Sequence, residues 1–307
     1  MMVRKARKLN LLNRNCRYMI AVFALFIASC AAPARAALPT PDPAGPGTPF
    51  ACRERAGQVL HVAVDSAIYR SAIAINVYVP PCYTPVSDRL PVIYLLHGGN
   101  ADETQWPDLR VQPAADDLIA HGAAPFVVVM PGGGYRANLD YATFVLNDLL
   151  PAVEQQFHVS TDRAERAIGG ISLGGYWALK IAFRHPELFA AAGGHSPVVD
   201  RGLADDPLAL ARTADGLTQL AVTLDVGDAD ALRANTEQLA RVLQARRIRV
   251  TFMAPAGKHD RVYWRAHSAE YLRFYRDALA LRPSLIKATN MRSLRSIGSS
   301  ALRAGHG

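Results

Sequence analysis

The run Arg166-Ala167-Ile168-Gly169-Gly170-Ile171-Ser172-Leu173-Gly174-Gly175-Tyr176-Trp177-Ala178-Leu179 leaves few folds open to this chain. Its first half is an apolar run of strand length and its second a helix-forming run, and only Ser172 separates them. A strand that becomes a helix within one residue folds its backbone back on itself, so it needs small neighbours, and Gly170-x-Ser172-x-Gly174 supplies them. Such a turn lifts the serine hydroxyl clear of a sheet and aims the first N–H groups of the helix at developing negative charge. Ser172 is therefore the candidate nucleophile. The same five residues also describe an ordinary glycine-rich turn, so partners elsewhere must decide.

The rest of the chain alternates strand and helix signals. Gln58 to Val64 and Ala72 to Val79 predict an antiparallel pair, ended by Pro80-Pro81. Apolar runs at Pro91 to Leu96, Phe126 to Met130, Arg166 to Ile171 and Phe189 to Gly193 predict buried parallel strands, followed by Leu220 to Val226 and Arg249 to Met253. Helices are expected near 112–121, 139–157, 173–184, 231–246 and 264–281. The expected fold is α/β: one eight-stranded, mostly parallel sheet with helices on both faces. About two dozen residues separate the sixth and seventh strands, which leaves little room for a large cap. No internal repeat is present.

The formal charge of +8 is a property of the two ends. Residues 1–36 hold seven Arg or Lys and no acid, residues 283–307 hold four and no acid, and the body between them is left at −3. A nucleic-acid role for the body is excluded on that ground. The basic start, the apolar run Met19 to Ala28 and the small residues after it read as a signal peptide over 1–36. Ala34-Arg35-Ala36 offers a cleavage site, and Ile27-Ala28-Ser29-Cys30 offers a lipobox that would make Cys30 a lipid anchor. Either route exports the body to the periplasm or the extracellular space, and membrane attachment follows only if Cys30 is lipidated. Residues 37–54 read as a proline-rich linker and 55–282 as the catalytic domain; 283–307 read as a basic tail without a fold, or with a weak amphipathic helix around Leu285 to Leu302. Cys52 and Cys82 remain for the exported body, either as a disulfide or as two unrelated thiols.

In an α/β sheet the reactive groups collect at the carboxyl ends of the strands, in the chain order nucleophile, acid, histidine. Asp225-Val226-Gly227-Asp228-Ala229-Asp230 follows the seventh strand, with Asp230 the leading candidate and Asp225 and Asp228 its rivals. Gly257-Lys258-His259-Asp260 follows the eighth, with His259 as base. His195, in Gly194-His195-Ser196-Pro197, is the rival histidine but precedes the acid. His97 is expected to shape a loop, His185 to end a helix, His61 to lie on a strand, and His121, His158 and His267 to be solvated. Oxyanion donors are expected from the N–H of Gly99, in Leu95-Leu96-His97-Gly98-Gly99-Asn100, and from that of Leu173.

These motifs, with Val79-Pro80-Pro81-Cys82-Tyr83, His185-Pro186-Glu187-Leu188-Phe189 and Tyr263-Trp264, resemble the putative-esterase branch of the α/β-hydrolases over residues 55–282. That group contains feruloyl esterases, S-formylglutathione hydrolases, siderophore esterases and mycolyltransferases. The resemblance implies a Ser172, His259, Asp230 triad with Gly99 and Leu173 as oxyanion donors. Leu173 stands where methionine is frequent and Lys258 where glycine is frequent, and neither change removes a catalytic group.

No G-x-x-x-x-G-K-[ST], G-x-G-x-x-G, H-E-x-x-H or Cys/His cluster occurs, and Gly132-Gly133-Gly134 has the wrong spacing for a dinucleotide loop. Cofactor-free hydrolysis of a small-molecule or glycoconjugate ester is the expected activity. Two alternatives stand beside it: transfer of the acyl group to a sugar or lipid alcohol, and a non-catalytic surface binding protein. The loops 99–111 and 131–141 are expected to form the substrate pocket. Trp106, Tyr135, Tyr141, Trp177, Tyr263 and Trp264 either line it or pack beneath it.

Overall fold

A computed structural model describes residues 53–84, 89–136 and 139–279. The signal peptide, nearly all of the linker, the basic tail and Cys52 lie outside the described residues.

Eight strands form one sheet in the order β1-β2-β4-β3-β5-β6-β7-β8. β1 (Gln58–Ser66) and β2 (Ser71–Val79) form an antiparallel hairpin, and β2 lies antiparallel to β4 (Val127–Pro131). From β4 onward the pairing is parallel, through β3 (Val92–Leu96), β5 (Arg166–Ile171), β6 (Ala191–His195), β7 (Ala221–Asp225) and β8 (Arg249–Met253). This is the α/β-hydrolase sheet.

Side chains alternate across it into two cores, so the central strands need apolar residues at every position. Tyr94 and Leu96 face one core, shared with α3 (Tyr141–Thr143), α4 (Leu150–Gln156), α5 (Leu173–Arg184), α6 (Pro207–Thr213) and α7 (Arg233–Ala245). Ile93 and Leu95 face the other, shared with α1 (Gln105–Asp108), α2 (Val111–Ala120) and α8 (Arg261–Leu279).

Two expectations need correction. β8 is parallel but not buried; as the edge strand it alternates, with Val250 and Phe252 half-buried and Arg249, Thr251 and Met253 exposed. The helix expected over 139–157 is broken by a π-helical segment, Phe144–Leu149. Pro151 explains the break, because it lacks an N–H and crowds the carbonyl one turn back. Between β6 and β7, residues 196–220 hold only the short α6 and a 3-10 turn, so no large cap covers the sheet edge.

Candidate active site

Ser172 sits between β5 and α5 with φ 54° and ψ −114°, a conformation an L-residue adopts only under strain of about 1–3 kcal/mol. The surrounding backbone holds it there. Its N–H donates to the His195 carbonyl at 2.9 Å, and its own carbonyl accepts the N–H groups of Tyr176 and Val198, each at 3.1 Å. The flanking glycines are a steric requirement: a Cβ on Gly170 would lie 2.4 Å from the Gly174 carbonyl carbon, and one on Gly174 would lie 2.2 Å from the His97 oxygen.

His259 reaches this serine from the β8–α8 loop, with Nε2 3.0 Å from the Ser172 hydroxyl oxygen. Its Nδ1 lies 2.8 Å from Asp230 Oδ2, and Asp230 Oδ1 accepts the Leu232 N–H at 2.9 Å. The carboxylate is buried while the imidazole is partly open to solvent. Asp228 instead ties the two loops together by accepting the Gly257 N–H at 3.0 Å.

The β3 loop closes the remaining side. Gly99 lies against Leu173, so that a Cβ on Gly99 would stand 3.7 Å from the Leu173 Cβ. The loop is pinned at several points. Gly98 N–H donates to Gln105 Oε1 at 2.7 Å, the Tyr135 hydroxyl donates to the His97 carbonyl at 2.6 Å, and the Trp106 indole donates to the Leu96 carbonyl at 3.1 Å. His97 is fully buried with Nδ1 2.7 Å from the Gly98 carbonyl, and burial pushes its pKa below the usual range, so it serves as a neutral donor that shapes the loop.

A cleft of about 490 Å³ opens over Ser172 and His259. Its wall is mainly polar, with Asn100, Asp102, Thr104, Gln105, Asp108 and Arg261, and Arg261 reaches Asp108 at 3.0 Å. Residues 98–108 supply the wall as expected from the 99–111 loop, but no described residue of 131–141 lines it. Of the six aromatic residues in question only Trp264 lines the cleft; Trp106, Tyr141, Trp177 and Tyr263 are buried, and Tyr135 is half-buried on Tyr141 and Trp177. Trp264 meets the His259 ring edge to face at 5.0 Å.

The rival pair, His195 and Asp225, is together but elsewhere. Both are buried beneath the strand ends, with His195 Nδ1 2.5 Å from Asp225 Oδ1, and neither lines the cleft. Three tyrosine hydroxyls of α8 complete this cluster, which sequence reasoning missed. Its signal was the spacing Tyr263, His267, Tyr271, Tyr275, one helix face at four-residue intervals. His267 accordingly packs on the Tyr263 ring at 4.7 Å and is not the solvated residue expected. His185 does cap α5, and His61 does lie on β1.

Among families, the model described as "Putative esterase" matches residues 66–280. The chain belongs to that family. An endo-1,4-beta-xylanase/feruloyl esterase of Xylanibacter ruminicola is 35% identical over 137 residues, covering 38% of this chain and 18% of that protein. Esterase MT1326 of Mycobacterium tuberculosis is 32% identical over 133 residues, covering 40% of this chain and 28% of that protein. The chain thus spans under a third of the length of these curated relatives. A ferulic acid esterase superposes with TM-score 0.68 at 24% identity, over 74% of this chain and 99% of that one. An S-formylglutathione hydrolase of Staphylococcus aureus superposes with TM-score 0.63 at 19% identity, over 72% and 99% of the two chains. At these identities the superpositions establish the shared α/β-hydrolase fold.

Proposed function

We propose that the protein is an exported serine hydrolase that cleaves carboxylic esters through an acyl-enzyme. The observation that carries this reading is the unbroken hydrogen-bonded chain from Ser172 through His259 to the buried Asp230, at 3.0 and 2.8 Å. Asp230 accepts a hydrogen bond from Nδ1–H, which keeps the proton on Nδ1 and leaves the Nε2 lone pair facing the serine.

In the first step Ser172 Oγ bonds to the ester carbonyl carbon as its proton passes to His259 Nε2. The carbonyl electron pair moves onto oxygen, where the N–H groups of Gly99 and Leu173 receive it. Collapse of this intermediate breaks the bond to the alkoxy oxygen, which takes the proton from His259. Water then repeats the sequence on the acyl-serine and releases the acid. The polar wall of the cleft suits a small-molecule or glycoconjugate ester bearing hydroxyl groups, in keeping with the feruloyl esterase named among the relatives.

Export rests on the signal-like residues 1–36. A Cys52–Cys82 disulfide accompanies it: the Cys82 N–H donates to Glu54 Oε2 at 2.7 Å, which brings the chain two residues from Cys52 beside Cys82. Comparison of the reduced and non-reduced masses of the exported protein tests the bond, and two free thiols would refute it.

The decisive test labels the purified protein with a fluorophosphonate and follows hydrolysis of short nitrophenyl esters, wild type beside Ser172→Ala and His259→Ala. Labelling and turnover that vanish in both variants support the reading. A folded wild type that neither labels nor turns over ester refutes it and favours a binding role for the scaffold.

A further inference from the structure

Beneath the cleft lies a polar cluster that the proposed chemistry does not use. Asp225, 2% exposed, accepts His195 Nδ1–H on Oδ1 at 2.5 Å and the hydroxyls of Tyr263 and Tyr271 on Oδ2, each at 2.9 Å. His195, fully buried, has Nε2 2.9 Å from the Tyr275 hydroxyl and stacks on the Tyr271 ring at 3.6 Å. The sheet is shaped to receive Tyr275: a Cβ on Gly169 or Gly193 would fall 1.7 or 1.9 Å from its hydroxyl. Burial, and then the Asp225 charge, holds all three tyrosine hydroxyls well above the ordinary phenol range, so they remain protonated.

An apolar contact between helix and sheet slides by fractions of an ångström at little cost. A buried carboxylate with three donors does not, because every displacement leaves a charged group short of a partner. The cluster joins three elements, and each bears on the cleft. The His195 carbonyl receives the Ser172 N–H. Asp225 ends the strand from which the Asp230 loop departs. Tyr263 stands in the first turn of α8, where its ring fills the space a Gly257 Cβ would need, 2.3 Å away, and its N–H donates to Asp260 Oδ1 at 3.0 Å. Trp264, next to it, donates to the Ser196 hydroxyl at 3.2 Å and supports the His259 ring.

We infer that His195, Asp225, Tyr263, Tyr271 and Tyr275 are positioning residues that fix the docking of α8 on the sheet and thereby hold His259 in register with Ser172. The inference rests on the serine-hydrolase reading. It assigns the second His–Asp pair to alignment: none of the five touches the substrate cleft, and none exchanges a proton with substrate.

Tyr263→Phe and Tyr271→Phe test it, since each keeps the ring and removes one hydroxyl. The expected result, on cooperatively melting protein, is a kcat for nitrophenyl acetate lowered about tenfold with KM within about twofold, and a parallel fall in the rate of fluorophosphonate labelling of Ser172. Asp225→Asn, which preserves shape and can still meet the hydroxyls, should retain more activity than Asp225→Ala. If Asp225→Ala does not fold, the tyrosine variants decide. Lowered melting temperatures with wild-type kcat and labelling rate in both would show that the cluster serves stability alone and overturn the inference. A wild type without labelling or turnover overturns the hydrolase reading and this role with it, so the two failures are distinguishable.

Discussion

Asp230 Oδ2 lies 2.8 Å from His259 Nδ1 while Asp230 Oδ1 takes the Leu232 N–H at 2.9 Å, so the carboxylate is held from both sides and the imidazole is presented in one tautomer. Asp230→Asn keeps the shape but turns an N–H toward Nδ1, which then has to be the unprotonated nitrogen. The proton moves to Nε2 and the serine loses its acceptor. The expected outcome is a fall in kcat of about 10⁴-fold with little change in KM, as in other enzymes of this type. Steady-state kinetics on a nitrophenyl ester measure it, and a kcat within tenfold of wild type would refute the role.

Much of this site was legible because its pieces are local. Gly170-x-Ser172-x-Gly174 dictates its own turn, and the Asp230 and His259 loops follow strands whose apolar runs are hard to mistake. What was not legible depends on packing between distant segments. Tyr135 and Tyr141 look like pocket residues in a glycine-rich loop, yet their hydroxyls turn inward to the carbonyls of His97 and Gly132. The partners of Asp225 lie 30 to 46 residues away, on two further elements, and no spacing within its own strand announces them. Helix α6 was missed because it is only seven residues long, although Asp206-Pro207 marks its start.

The tyrosines yield a pH prediction. All ten in the described residues have hydroxyls raised above the ordinary phenol pKa, burial being the first cause in each. The folded state therefore keeps phenol protons that the unfolded chain releases near pH 10. Their contribution to stability is complete below that pH and is lost as pH rises through the raised values, at up to about 1.4 kcal/mol per pH unit for each tyrosine. In an alkaline titration, phenolate absorbance from Tyr78, Tyr94, Tyr135, Tyr141, Tyr176, Tyr263, Tyr271 and Tyr275, the most strongly raised, should stay silent until unfolding and then appear with the loss of circular dichroism. Several tyrosines ionising in the folded protein near pH 10 would contradict the packing.

Gln105 is predicted to support the oxyanion loop. Its Oε1 accepts the buried Gly98 N–H, and the same side chain lines the cleft. Gln105→Leu leaves that N–H without a partner, at a cost of about 1–3 kcal/mol. The loop should relax away from Leu173, with kcat reduced at least tenfold while Ser172 and His259 stay paired. Stopped-flow acylation by a nitrophenyl ester separates this from a binding defect, and an unchanged acylation rate would refute the role.

Gly174→Ala probes the contact between the elbow and the β3 loop. The added Cβ would stand 2.2 Å from the His97 carbonyl oxygen and 2.5 Å from that of Leu96, both backbone atoms in a loop pinned by Gln105 and Tyr135. The start of α5 has to withdraw, and Leu173 moves away from Gly99 with it. Overpacking of this kind costs about 1–3 kcal/mol, which in a domain of this size lowers the melting temperature by roughly 2–12 °C. Activity should fall further than stability, by about a hundredfold or more, because loss of one oxyanion donor alone costs about 3 kcal/mol in the transition state. Gly134→Ala is the control: its Cβ meets nothing within 4 Å, so both stability and turnover should match wild type. Thermal melts and ester kinetics on the two variants decide the matter, and a Gly174→Ala protein as active as Gly134→Ala would mean that the two donors do not depend on this contact.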